Sequence, residues 1–152
     1  MKIGVISDTH DLLRPQAVAA LRGVDHILHA GDICGPAVLR ALGEIASLDA
    51  VRGNNDRGVW AEGLQNSLAV TFGPVSLYML HDLSALDIDP AVAGFNVVIS
   101  GHSHRPLIES RDGVLYLNPG SAGPRRFTLP IAIALLDIND GRIQPALKML
   151  EV

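Results

Sequence analysis

The first half of the chain alternates short apolar runs with amphipathic stretches, the pattern of parallel strands joined by crossover helices. Residues 3–7 predict a strand. Residues 15–21 carry apolar side chains at helical spacing, and Pro15 suits a first helical turn, where a backbone N–H has no partner to lose. Residues 26–30 predict a second strand, 36–45 a second helix and 47–51 a third strand. The loop 52–58, Arg-Gly-Asn-Asn-Asp-Arg-Gly, is too rich in turn formers to be regular structure.

The pattern changes at Ser67. Residues 68–72 and 75–80 flank Gly73-Pro74 like the arms of a hairpin. A short helix is predicted around 90–93, then strands at 97–100, 107–110, 114–117, 131–137 and 142–149. No repeat, low-complexity segment or linker breaks the chain, so residues 1–152 read as one domain.

Composition narrows the fold. The chain is 48% hydrophobic but only 4% aromatic, so its core must be aliphatic, which suits a sheet covered on its faces. Few aromatic rings also exclude a broad stacking platform for single-stranded nucleic acid. With 12 basic and 16 acidic residues and a net charge of -4, the chain lacks the charge for a broad nucleic-acid surface. That leaves room for a phosphate-ester ligand only if metal ions supply the positive charge. The single cysteine, Cys34, has no internal disulfide partner, as expected in a reducing compartment. The longest apolar run, 131–136, is far short of the roughly 18 residues of a spanning helix. The N-terminal apolar stretch is too short for a signal peptide's core. These features predict a cytoplasmic protein with no membrane association.

Candidate chemistry collects where strands give way to loops. His10, His81, His102 and His104 lie there, as do Asp8, the Gly31-Asp32 pair and the run Gly53-Asn54-Asn55-Asp56. If Asp8/His10 and His102/His104 lie in extended chain, each pair aims two ligands at one spot, because residues two apart point to the same side. Each piece alone reads more readily as a loop with satisfied polar groups or as plain turn geometry than as a metal site. Five such loops, all following apolar strands, are a different matter, since loops at the C-terminal ends of parallel strands form one crevice. Carboxylate, carboxamide and imidazole suit Mn, Fe, Zn or Ni, and without thiolates this is no structural zinc knot.

The ordered blocks Asp-x-His, Gly-Asp, Gly-Asn-x-Asp, a lone His and Gly-His-x-His resemble the signature of the calcineurin-like metallophosphoesterase superfamily. The similarity is to its small bacterial and archaeal phosphodiesterases, which share the Asn118-Pro119-Gly120-Ser121 segment. It covers residues 3 to about 125. The resemblance implies an α/β fold, a four-layer α/β/β/α sandwich with mixed sheets, and two divalent metal ions at one sheet edge. It implies Asp8, His10 and His104 on one metal, Asn54, His81 and His102 on the other, and Asp32 bridging them. Manganese is the first expectation, with Ni, Fe, Zn or Mg as the other candidates. The implied activity is hydrolysis of small phosphodiesters by a metal-bound water or hydroxide.

Two positions depart from that pattern. Many members of the superfamily have His where this chain has Asn55, and an amide donates a hydrogen bond but delivers no proton at neutral pH. Asn55 is therefore expected as a phosphate contact, with leaving-group protonation either weak or left to a metal-bound water. Asp82 replaces a frequent Gly and reads either as an orienting partner of an imidazole or as a solvated loop acid. Arg125, after the Asn-Pro-Gly-Ser loop, is the expected guanidinium for substrate phosphate, ahead of Arg57 and Arg126. His26 and His29 read as structural, Asp56 as a brace for its loop and Cys34 as a packed thiol. Ser103 and Ser121 lack a nucleophile-elbow context, and no phosphate-cradling P-loop occurs. The rivals are a phosphomonoesterase and a non-catalytic interaction scaffold of the same fold, as in the retromer subunit that resembles this family. Self-association is left open.

Overall fold

Alternation along the strands decides which way each sheet faces. The computed structural model describes residues 1–152. In β1 (Lys2–Ile6), Ile3 and Val5 point into a cluster shared with a second sheet, whereas Ile6 packs beneath the helices. β2 (His26–His29) behaves likewise, with Leu28 in the first cluster and Ile27 in the second. β3 (Ser47–Ala50) completes a parallel trio, in which Ile3 lies opposite His26 and His26 opposite Ser47. The helices α1 (Pro15–Ala20) and α2 (Pro36–Gly43) cross over between them, each with Pro in its first turn.

The second sheet is built around another parallel trio. β4 (Ser67–Phe72) and β5 (Val75–Leu80) form the hairpin across Gly73-Pro74. β6 (Val97–Ile99) pairs in parallel with β5 and with β8 (Val114–Asn118), and β7 (Leu107–Arg111) closes the edge antiparallel to β8. The last strands, β9 (Ala132–Asn139) and β10 (Arg142–Met149), return to the first sheet, where β9 lies antiparallel beside β1. The sheet orders are β10-β9-β1-β2-β3 and β4-β5-β6-β8-β7.

The main core lies between the sheets, where Leu28, Leu77, Met79, Ile99 and Leu117 are all but sealed from solvent. A second cluster, including Ile6, Leu21, Ile33 and Leu42, fills the space under α1 and α2. On the far face of the second sheet Leu80, Val98 and Val114 are covered by Leu83 and Leu86. The layers are thus α/β/β/α in order, but the fourth is thin, carried by the 3-10 turn Leu83–Ala85 and the connection to β6. The helix expected around 90–93 does not form. Asp89 Oδ1 caps the N–H groups of Ala91 and Val92, and Gly94, at φ 86°, ends the segment after a single turn. No helix is long and apolar enough to cross a membrane.

This arrangement puts the C-terminal ends of β1, β2 and β3 beside those of β5 and β6. The loops are joined directly: Asp8 N–H and His10 N–H donate to the carbonyls of Gly31 and Asp32, each at 3.0 Å, and Gly101 N–H donates to His81 O at 2.9 Å.

Leu28→Ala should lower unfolding free energy by about 2–5 kcal/mol, because it empties space between two sheets that cannot collapse freely. Val92→Ala, at 85% exposure, should change it by no more than about 0.5 kcal/mol. Urea unfolding of both variants checks the contrast.

Candidate metal centre

β1 ends at Ile6, and the next three residues, Ser7, Asp8 and Thr9, are completely buried polar groups. Such burial requires partners. Asp8 Oδ2 accepts from Ser7 Oγ at 2.6 Å and from His102 N–H at 3.0 Å, while Ser121 Oγ donates to the Asp8 carbonyl at 3.0 Å. Oδ1 is left with no hydrogen-bond partner. The pairing of Asp8 with His10 does not come from extended alternation, as the sequence suggested. Both residues are left-handed, at φ 55° and 47°, and so are Asp32 (56°), His102 (69°) and His104 (62°). That region costs energy for L-residues, least for Asp, Asn and His, and clusters where function constrains the backbone.

The second carboxylate is clamped by the third loop. Asn55 donates twice to Asp32, from its backbone N–H to Oδ1 and from Nδ2 to Oδ2, both at 2.9 Å. Asp56 braces the loops as expected, accepting at Oδ2 from the N–H groups of Asp32 (3.0 Å) and Gly53 (2.8 Å) and at Oδ1 from Cys34 N–H (2.8 Å). Gly53 is needed for proximity rather than for a turn: a Cβ there would collide with the backbone and carboxylate of Asp32.

Around these carboxylates stand four imidazoles. His10 Nε2 lies 3.8 Å from Asp8 Oδ1 and 3.7 Å from Asp32 Oδ2, and His104 Nε2 lies 3.2 Å from Asp8 Oδ1. His81 Nε2 is 3.4 Å from Asp32 Oδ2 and 3.9 Å from Asp8 Oδ1. Its Nδ1–H donates to Ala30 O at 2.7 Å, which leaves Nε2 as the nitrogen facing the two carboxylates; their pull outweighs burial and holds the His81 pKa above its ordinary value. His102 stands at the mouth, 45% exposed, with Nδ1 3.1 Å from Asn54 Oδ1 and Nε2 3.8 Å from Asp82 Oδ2. Asp8, His10 and His104 offer ligand atoms within 4.8 Å of one another, and so do Asp8, Asp32 and His81. His102 adjoins the second group through His81, with ring centroids 5.2 Å apart, and carries Asn54 as its hydrogen-bonded neighbour.

The electrostatics follow from this crowding. Burial pushes the Asp8 carboxyl up, but the neighbouring His104 ring, the Ser7 hydroxyl and the charge of His81 outweigh it and hold the group below its ordinary value. Asp32 is likewise opposed by burial and driven well down by His81 and the two Asn55 bonds. Both are ionised at neutral pH. His10 is lowered by burial, against the pull of Asp32 and Asp8, with Arg126 adding repulsion. Burial also raises the Cys34 thiol to about 11, helped by the charge of Asp56. Its Sγ rests 3.6 Å from His10 Nδ1, the nitrogen on the side away from the carboxylates.

The donor set fits divalent cations on one independent observation. Asp8 Oδ1, His10 Nε2, His81 Nε2 and His104 Nδ1 are all buried with no hydrogen-bond partner, a concentration of unmet donors and acceptors that native interiors avoid. Two expected substrate contacts have hydrogen-bond partners of their own. The Asn55 amide is engaged on Asp32, and the exposed Arg125 guanidinium donates to Leu129 O of its own loop at 3.2 Å, while its neighbour Arg126 is the one whose field reaches His10. Residues that sequence reasoning missed are the props: Ser7, Ser121, and Asn118, whose Nδ2 holds Gly101 O at 2.9 Å and Ser103 Oγ at 3.1 Å. The Asn-Pro-Gly-Ser segment was the available signal for the last two.

His29 is the deepest prop. Gly31 N–H donates to its Nδ1 at 3.1 Å, so Nε2 carries the proton and donates to Thr9 Oγ1 at 3.0 Å, which in turn donates to Ile33 O at 3.2 Å. One neutral ring therefore spans the loops bearing Asp8, His10 and Asp32.

A family model, the calcineurin-like phosphoesterase superfamily domain, matches residues 1–141. A protein of Methanothermobacter thermautotrophicus named a probable metallophosphoesterase is 38% identical over 146 residues, covering 89% of this chain and 85% of that one. Among solved structures, an archaeal phosphodiesterase superposes with a TM-score of 0.80 at 27% identity, covering 97% of this chain and 100% of that chain. Vps29 of Chaetomium thermophilum reaches the same TM-score at 20% identity, covering 98% of this chain and 96% of that one, a likeness of fold alone.

Burial lowers the His29 pKa from 6.5 to about 3, against the attraction of Asp8. Between those values the unfolded chain binds a proton that the folded chain refuses, so stability must fall as pH drops from about 6.5 towards about 3. The slope from this group approaches about 1.4 kcal/mol per pH unit. His29→Gln should flatten the pH dependence of denaturant midpoints in that window; an unchanged profile would show that the ring is protonated in the fold.

Proposed function

Because this chain belongs to the calcineurin-like phosphoesterase superfamily, we propose that its loop cluster holds two divalent cations and hydrolyses small phosphodiesters. The observation that carries this reading is the convergence of unpartnered, buried ligand atoms on two ionised carboxylates. Asp8, His10 and His104 would hold one cation; Asn54, His81 and His102 the other, with Asp32 shared. Asp32 Oδ2 lies within reach of a histidine from each set, His10 and His81, which supports the shared role. Such cations, when bound, supply an acidified water as nucleophile and positive charge for the phosphoryl oxygens.

The chain's own groups do the positioning. Ser7 and the His102 N–H pin one oxygen of Asp8 and leave the other free. Asn55 takes one lone pair from each oxygen of Asp32 and fixes the plane of that carboxylate, which supports a role in holding a ligand. Ala30 O holds His81 in the tautomer a metal requires. No neutral-pH proton donor stands in the position of Asn55, so a leaving group must depart largely unprotonated. Arg126 adds positive field on the His10 side.

The decisive experiment strips the protein of metal and adds back Mn, Ni, Zn, Mg or Fe separately, with an aryl phosphodiester and its monoester as substrates. Mn should restore turnover, faster on the diester, and Asp32→Asn should lower kcat by about a hundredfold or more, beyond the cost of losing a mere outer partner of a ligand. Absence of turnover with every ion would leave the interaction-scaffold reading. Rates should climb steeply as leaving-group pKa falls, and Asn55→His should weaken that dependence; a rate indifferent to the leaving group would count against the missing acid.

A further inference from the structure

Two clefts open beside the cluster, and they meet at the same pair of residues. The first, about 540 Å³, is lined by Arg52, Arg57, Asn66, Tyr78 and Asp87 and reaches His81. The second, about 520 Å³, is lined by Leu83, Arg105, Pro106, Leu107 and Leu129. His102 and Asp82 border both, so the exposed imidazole at the mouth of the centre stands at their junction. Their chemistry differs. The first presents guanidinium, carboxylate, amide and hydroxyl groups. The second also carries Asp82, Arg105, Ser103 and Asn118, but the Asn118 amide is bonded to Gly101 O and Ser103 Oγ, and the surface the cleft exposes is mainly apolar, with three leucines each only partly buried.

Size decides what the pair is for. Binding sites for small molecules run from about 300 to 1,000 Å³, so each cleft alone accommodates a substituent the size of a sugar or an aryl ring. A phosphate with one organic group would leave one cleft empty. Resting on the hydrolase reading above, we propose that the substrate is an unsymmetrical phosphodiester, with a polar, hydroxyl- or amide-bearing group in the Arg57–Asp87 cleft and an apolar alkyl or aryl group in the cleft of Leu83, Leu107 and Leu129. Continuity of both clefts with His102 supplies the argument for this occupant: a phosphorus atom held at the centre delivers its two ester oxygens to the two openings.

The test uses the manganese-loaded protein and methyl, propyl and hexyl phosphate as probes, with affinities measured by calorimetry. Each added methylene should tighten binding about two- to fourfold. Leu83→Asn and Leu129→Asn, which add no charge beside the phosphate, should each flatten the series, with an unchanged circular dichroism spectrum reporting an intact fold. Arg57→Gln should leave the gradient in place. A flat series in the parent protein, no binding of any probe, or a gradient surviving both leucine substitutions would overturn the apolar cleft. A normal gradient without hydrolysis of any diester would overturn the hydrolase reading and keep the cleft.

Discussion

The structure is organised around the cost of burying two carboxylates side by side. Asp8 and Asp32 are almost wholly removed from water, and each approaches the same histidine, His81. Unit charges about 4 Å apart interact by about 4 kcal/mol at an effective dielectric of about 20, against about 1 kcal/mol in bulk water. Such a pair survives only where opposite charge and hydrogen-bond donors surround it. Everything at this end of the sheets serves that requirement: Ser7 and the His102 N–H on one carboxylate, two Asn55 donors on the other, and imidazoles around both.

The backbone bears part of the cost. Five of the seven expected ligands sit at positive φ, a conformation that strand ends do not adopt by themselves. They are held there by the parallel loops, through the Asp8-to-Gly31 and His10-to-Asp32 hydrogen bonds and through the neutral ring of His29 beneath them. Residue type limits the strain, since Asp and His tolerate the left-handed region better than most side chains. The same types are those with ligand atoms to offer, so chemistry and conformation select alike at these positions.

Much of this was legible in the chain itself. Apolar runs marked every strand to within a residue or two, and strands ending in Asp-x-His, Gly-Asp, Gly-Asn and Gly-His-x-His located the loops that meet. What stayed hidden depends on contacts between distant residues. The Asn55 clamp joins positions 23 residues apart, and nothing in the composition distinguishes an amide aimed at a carboxylate from one aimed at a phosphate. Arg125 and Arg126 are adjacent and identical in type; only the fold of their loop bonds Arg125 to Leu129 O and leaves the charge of Arg126 to act on His10. The segment 90–93 has helical composition but lies between an Asp that caps it and a Gly that ends it, leaving one turn. The clefts arise from the thin outer layer of the second sheet, a consequence of topology that no local pattern records.

Four of the seven clustered side chains, Asp8, His10, Asp32 and Asn54, hang from the first sheet, and His81, His102 and His104 hang from the second. The seam between the sheets is filled by aliphatic side chains with almost no aromatic bulk to lock their relative tilt. The cluster therefore behaves as a caliper across that seam: the spacing of its jaws is set by the volumes of Val, Leu and Ile many ångströms away. Substitutions deep in this interior, remote from any polar group, acquire a route to the spacing of the clustered side chains.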